Sequence, residues 1–246
     1  MKAMILAAGL GTRLRPLTDN RPKALVEIAG RTLLEIALSR LRGFGIREVI
    51  LNVHHFAGMI LEYLKTNENF GMRIEVSHEE VLLDTGGGLK KAAWFFLDDA
   101  NRREEPFLLH NVDVISTIDF RRMVQFHKEN QALATLAVQE RESSRCLLFD
   151  EQLQLCGRRA DQRTEPDRSS QQVRTLAFCG IHVISPRLLA AMTEEGVFSI
   201  ITSYLRLAAQ GEKILAFRAD EYYWRDLGRP DDVMQVTQDL KQRVLL

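Results

Sequence analysis

The chain has 246 residues, 46% of them hydrophobic and 27% charged, with 33 Lys plus Arg against 33 Asp plus Glu. That composition carries enough apolar mass for a buried core and excludes disordered and collagen-like chains. A net charge of zero sets up no global field toward nucleic acid or an anionic membrane, so any anion site must be local. The three cysteines, Cys146, Cys156 and Cys179, lack the spacing of a zinc knuckle or a disulfide framework, which fits a reducing compartment. The apolar run at residues 3–8 is too short for a signal-peptide core, and no run approaches membrane-spanning length. A soluble cytoplasmic protein is expected, with no nucleic-acid or membrane partner and a single domain over residues 1–246.

Residues 4–8 form an apolar run closed by glycines, which predicts a parallel strand buried on both faces. Leu34, Ala37, Leu38 and Leu41 mark one face of a helix that Gly43 and Gly45 stop. Strands are predicted at 48–53, 73–77 and 106–110, with helices at 59–64 and, after the glycines 86–88, at 89–97. Strands alternating with helices at this spacing predict an α/β fold, a parallel sheet covered on both faces, and ligands bound beyond the carboxyl ends of the strands. Further on come a helix at 120–128, a strand at 132–138 and short β segments at 146–149 and 154–156. Residues 157–174 are almost wholly polar and predict an exposed, mobile loop. A strand at 176–184, a helix opened by Pro186, a helix at 200–209, strands at 213–218 and 222–226 and a last helix opened by Pro230 complete the chain.

Residues 6–18 read L-A-A-G-L-G-T-R-L-R-P-L-T, a strand running into a glycine turn with cations just inside it. Gly9 and Gly11 allow close backbone approach and can aim amides at phosphate oxygens, and Arg13 adds a planar cation with several donors. A dinucleotide-binding turn would need a third glycine where Leu14 stands and a smooth entry into helix, which Pro16 opposes. A P-loop is also disfavoured, because no Gly-Lys-Ser or Gly-Lys-Thr closes the turn. Residues 21–25 read R-P-K-A-L, and Pro22 fixes the backbone that presents Lys23. Taken alone, Asp113 would be a helix cap or strand terminator, Asp226 a turn residue before Gly228, and Gly180 a bulge.

The two N-terminal segments together resemble the signature of the nucleotidylyltransferases that make NDP-sugars from sugar 1-phosphates. The resemblance continues in order through D-T-G-G-G at 84–88, H-N-V-D-V at 110–114, F-C-G-I-H-V-I-S-P at 178–186 and Y-W-R-D-L-G-R-P at 223–230. It implies a Rossmann-like nucleotidyltransferase fold, a mostly parallel mixed sheet flanked by helices. A nucleotide-binding half would span about residues 1–115 and a sugar-binding half about 116–246. On the same ground Leu6, Ala7, Ala8, Gly9, Gly11, Thr12, Arg13 and Asn111 would hold the nucleotide, with Glu79, Thr85 and Gly86 on the nucleobase side. Arg13, Lys23 and Asp113 would be catalytic, Asp113 and Asp226 would bind Mg²⁺, and Gly180 would meet the sugar. Arg13 and Lys23 are expected as exposed cations that matter little for folding.

Two departures stand out: Val112 replaces the glycine of the family's N-G-D, and the Glu-Lys-Pro segment is missing near 156–159, where Arg158, Arg159 and Arg174 are possible replacements. The implied partners are a nucleoside triphosphate and a sugar 1-phosphate. Within the family the chain most resembles the N-acetylmuramate 1-phosphate uridylyltransferases, then the mannose 1-phosphate guanylyltransferases and glucose 1-phosphate thymidylyltransferases. A catalytically silent nucleotide-sugar sensor is the alternative from another class, and the intact Arg13, Lys23, Asp113 and Asp226 argue against it.

Overall fold

Residues that alternate along each central strand belong to two different hydrophobic cores, which is why those strands read as unbroken apolar runs. The computed structural model describes residues 1–98, 104–143, 146–160, 163–166 and 173–241. The first half contains β1 (Lys2–Leu6), β2 (Glu27–Ile28), β3 (Arg31–Thr32), α1 (Leu33–Gly43), β4 (Glu48–Val53) and α2 (Ala57–Thr66). It continues with β5 (Arg73–His78), α3 (Asp84–Lys91), α4 (Trp94–Leu97), β6 (Phe107–Asn111) and the short β7 (Val114–Ser116). The second half runs α5 (Phe120–Glu129), β8 (Ala134–Gln139), β9 (Cys146–Phe149), β10 (Leu155–Ala160), β11 (Arg163–Pro166) and β12 (Arg174–Ile184). Then follow α6 (Arg187–Ala191), α7 (Ile200–Ala209), β13 (Ile214–Arg218), β14 (Trp224–Asp226) and α8 (Pro230–Lys241).

The large sheet has the order β11-β10-β9-β12-β6-β1-β4-β5, with β8 paired to β12 and β13 to β8. Strands β6, β1, β4 and β5 are parallel, and β12 joins them antiparallel to β6, with Ile181 opposite His110. Ala3, Ile5, Val49, Leu51 and Leu108 face one core, closed by Leu34, Leu38 and Leu41 of α1, Ile60 of α2, Met123 of α5 and Val236 of α8. Met4, Ile50, Phe107 and Leu109 face the other, closed by Leu89, Phe95, Leu188, Tyr204 and Leu207. Truncating a fully buried leucine such as Leu38 to alanine should cost about 2–5 kcal/mol.

The structure corrects two expectations. Part of the polar stretch 157–174 is not loop: β10 and β11 form an antiparallel pair with Gly157 opposite Pro166 and Arg158 opposite Glu165, and β10 also pairs with β9. A backbone ladder pairs these strands, and their sequence beyond Cys156 carries no apolar periodicity to signal it; residues 167–172 lie outside the described residues. The glycines 86–88 do not precede a helix but lie inside α3, and the helix expected at 89–97 is split into α3 and α4. All three cysteines are buried. Among the described residues no helix is long and apolar enough to cross a membrane.

Two histidines sit where β6 and β12 meet. His110 Nδ1 donates to the Asn111 carbonyl at 2.7 Å, and His182 Nδ1 shares a 2.9 Å hydrogen bond with the Tyr204 hydroxyl. Burial, reinforced by the Arg40 cation, pushes His110 down to about 4; burial, reinforced by His110, pushes His182 down to about 3. Because the folded values lie below the unfolded one, each histidine contributes stability that is present above about pH 6.5 and is lost as pH falls toward its folded value. Replacing His182 with Gln removes one of these groups. The stability gap between wild type and His182→Gln, measured by denaturant unfolding, should therefore narrow by about 1 kcal/mol between pH 7.5 and 5.5. A gap that does not change with pH would mean that His182 titrates normally in the folded chain.

Candidate active site

The turn after β1 is held open by its own backbone and by the segment that follows it. Gly11 has φ +65°, and a Cβ there would lie 3.0 Å from Thr18 Cγ2 and 3.2 Å from Lys23 Cβ, so a side chain would be both strained and crowded. The Gly11 carbonyl accepts from the Leu14 amide and from Thr18 Oγ1, both at 2.8 Å. Residues 8–13 thereby form the rim of a cavity of about 490 Å³ at the carboxyl ends of the parallel strands. Leu6, Ala7, Ala8, Gly9, Gly11, Thr12 and Arg13 line it on one side, with Lys23, Thr85, Asn111 and Asp113 around the rest.

Pro22 leads into a short 3₁₀ turn over Lys23–Leu25 that buries Lys23, whose Nζ donates to Asp113 Oδ2. This corrects the expectation of an exposed cation: only Arg13 is exposed, its guanidinium lying against Gly228, where a Cβ would stand 3.2 Å from Nη2. Asp113 follows β6. Asp226 arrives from far along the chain because β7 and β14 pair antiparallel in a ribbon separate from the large sheet, with Asp226 opposite Val114. The Leu227 amide then donates to the Asp113 carbonyl at 2.9 Å, which locks the two acids side by side.

Burial raises the Asp226 carboxyl to about 6, and the neighbouring Asp113 charge pushes the same way, against Lys23 and Arg13. Asp226 Oδ1 is buried without a hydrogen-bond partner. Two adjacent carboxylates, one with an orphaned oxygen, are a hard-oxygen donor set that fits a divalent cation. Among the described residues no group of three or more His, Cys, Asp or Glu could hold a metal, so phosphate oxygens and water would complete the shell.

Four residues singled out from the sequence do not line the cavity. Asp226 lies behind Asp113, touching it. Glu79 is fully buried beneath the cavity, and both of its carboxylate oxygens are engaged by Asn52 and the Leu83 amide. Gly86 is buried, its amide donating to the Phe198 carbonyl at 2.9 Å, and a Cβ would run into the Phe198 ring. Gly180 has φ +71° at a bulge in β12, and a Cβ there would stand 2.7 Å from Asn111 Nδ2. It therefore packs directly behind a residue that does line the cavity. Val112 is buried and lines the cavity as well.

Sequence reasoning missed Asn52, Leu82, Val197 and Gly228 among the lining residues. Asn52 left a signal, an amide inside the otherwise apolar run 49–53. Val197 left none, because its turn reaches the site only through the packing of α7 on α3. A second, polar cavity is lined by Arg141, Glu142, Cys146, Arg159 and Thr175 among others, so of the three candidate arginines Arg159 is the one that lines it.

Comparison with known proteins agrees with this geometry. The nucleotidyl transferase family model matches residues 2–147. The chain is 34% identical over 238 residues to the N-acetylmuramate alpha-1-phosphate uridylyltransferase of Caulobacter vibrioides, covering 93% of this chain and 92% of that one. It is 30% identical over 241 residues to the mannose-1-phosphate guanyltransferase of Yarrowia lipolytica, covering 96% of this chain but 63% of the relative's length. The crystal structure of HddC from Yersinia pseudotuberculosis complexed with GMP-PN has the same fold, with a TM-score of 0.76 and 20% identity over 97% of this chain and 99% of that one. A shared fold, a matching family model and relatives aligned along almost the whole chain lead to one conclusion: the chain belongs to the nucleotidyl transferase family and is a nucleotidyltransferase.

Proposed function

We propose that this enzyme transfers a nucleotidyl group from a nucleoside triphosphate to a sugar 1-phosphate, with UTP and N-acetylmuramate 1-phosphate as its own pair and Mg²⁺ as its cation. The observation that carries the reaction is the convergence of Lys23, Asp113 and Asp226 beside a glycine turn that exposes backbone amides and Arg13. The choice of pair is supported by the uridylyltransferase relative at 34% identity. The guanyltransferase relatives, at 28–31%, favour GTP with mannose 1-phosphate as the second reading. The nucleotide would sit in the half at 1–115 and the sugar in the half at 116–246, near Gly180.

The nucleophile is a sugar phosphate oxygen, already anionic, so no strong base is required. That oxygen attacks the α-phosphorus in line; the bond from the α-phosphorus to the bridging oxygen breaks, and pyrophosphate leaves with the electron pair. The chain has to bring two polyanions together and stabilise the charge moving onto the leaving group. Amides of the 8–13 turn and the Arg13 guanidinium face the departing phosphates, and Arg13, held against Gly228, is free to make bidentate contacts. Lys23 balances Asp113 and lines the cavity, where it would meet phosphate oxygens. A divalent ion on Asp113 and Asp226 would supply charge neutralisation and Lewis-acid polarisation of the α-phosphate.

In a pyrophosphate-release screen of UTP, dTTP, GTP, CTP and ATP against a panel of sugar 1-phosphates, product should form only when both substrates are present, and fastest with UTP and N-acetylmuramate 1-phosphate. Triphosphate hydrolysis without the sugar, or no turnover across the panel, would sink the reading. Asp113→Asn and Asp226→Asn should each lower turnover at least about a hundredfold, with the double variant little worse than the worse single one, because the two acids act as a unit. Independent, multiplying losses would contradict a shared cation.

Lys23→Met should lower the melting temperature, since it leaves the half-buried Asp113 carboxylate without its partner. Millimolar divalent cation should restore part of that loss. Arg13→Ala should leave the melting temperature nearly unchanged while lowering turnover. Equal thermal effects of the two substitutions would contradict the difference in burial on which this expectation rests.

A further inference from the structure

Beneath the nucleotide cavity, three strand ends are tied together by side chains. Asn52 lies opposite Leu6 in the β1–β4 register, its Oδ1 accepting from the Ala7 amide at 2.8 Å and its Nδ2 donating to Glu79 Oε1 at 2.8 Å. Glu79 follows β5, with its amide on the Val53 carbonyl at 2.8 Å, and its second carboxylate oxygen accepts from the Leu83 amide at 2.9 Å. Asn52 is 3% exposed and Glu79 not at all, and among the described residues no cation lies within ion-pair distance of Glu79. A buried carboxylate in such a place depends on its hydrogen-bond donors, and removing one leaves a desolvated acceptor unsatisfied.

The points joined are functional ones. Ala7 carries the first amide of the glycine turn, and Leu83 immediately precedes α3, whose Asp84 and Thr85 line the opposite side of the cavity. The packing of α3 is built around the same pair. A Cβ at Gly88 would stand 2.7 Å from Glu79 Oε1 and 2.8 Å from Asn52 Nδ2, so the helix comes this close only with glycine there.

We propose that Asn52 and Glu79 are positioning residues: a buried amide–carboxylate relay that fixes the spacing between the phosphate-side turn and the base-side segment 82–85, and through it the discrimination among nucleoside triphosphates. The inference rests on the nucleotide site described above and assigns Glu79 an action through Asn52 and Leu83, with no contact to the base.

Steady-state kinetics and amide hydrogen exchange on the intact enzyme test it together. Asn52→Ala and Glu79→Gln should each raise the KM for the preferred triphosphate about tenfold and narrow the kcat/KM ratio between the two best triphosphates about fivefold, while the KM for the sugar 1-phosphate changes less than about twofold. The double variant should be little worse than the worse single one. Each single variant should also speed exchange of both the Ala7 and the Leu83 amides, although Asn52 touches only the first and Glu79 only the second. Should Asn52→Ala fail to fold, Gly88→Ala keeps every hydrogen-bonding group, crowds the pair and should give the same KM pattern.

Exchange limited to the amide each residue touches, or an unaltered triphosphate KM and discrimination, would overturn the relay while leaving the nucleotide site intact. A wild-type enzyme that fails to bind any triphosphate would instead overturn the site, and the relay with it.

Discussion

Two carboxylates held side by side, with Lys23 and Arg13 as their nearby countercharges, form the constraint around which this molecule is arranged. Burial is the larger reason the Asp226 carboxyl is raised, and the neighbouring Asp113 charge pushes it the same way. Lys23 offsets one charge, and the unpartnered Oδ1 of Asp226 leaves the other in need of a cation. The acids are kept together by a two-stranded ribbon outside the main sheet and a backbone hydrogen bond from Leu227 to Asp113, while the bulge at Gly180 leaves room for the cavity-lining Asn111 in front of it. Paired acids with a raised carboxyl and an unpartnered oxygen beside a cavity suit a catalytic site.

The rest of the site answers to the same electrostatics. Backbone amides and an exposed arginine lie on the side from which triphosphate would enter, where flexibility and solvent access are useful. The buried groups lie on the far side, where position matters more. Asn52 at the cavity wall, with Glu79 and Gly88 behind it, contributes no charge to the reacting atoms but sets how far apart the two walls of the cavity stand. Leu10 and Val197, 45% and 62% exposed, give the mouth an apolar lip on which a base or ribose can lie.

Much of this was legible in the sequence, for identifiable reasons. Strands buried on both faces leave unbroken apolar runs, so β1, β4 and β6 could be read directly, and the helical spacing of Leu34, Leu38 and Leu41 gave α1. Asp113 and Asp226 were reachable only through the family resemblance: a strand was read at 222–226, but the three-residue β7 was not, so nothing showed that the two pair and bring the acids together. The burial of Lys23 was hidden because a lysine next to a proline reads as surface until its partner, ninety positions on, is known. The glycines 86–88 read as a loop because glycine disfavours helix; their small size is instead what lets α3 seat against Phe198, Gly196 and the Asn52–Glu79 pair. Only the start of β10 was read, because the polar sequence from 157 on gives hydrophobic reasoning no sign of the backbone ladder that pairs β10 with β11.

The central claim is that Asp113 and Asp226 share one divalent cation at the floor of the nucleotide cavity. Anomalous scattering from Mn²⁺ in crystals grown with a non-hydrolysable triphosphate tests it most directly. The account predicts one peak per chain, touching a carboxylate oxygen of each aspartate and an α-phosphate oxygen. A peak bound elsewhere in the cavity, or density for a bound triphosphate with no metal between the two acids, would contradict it.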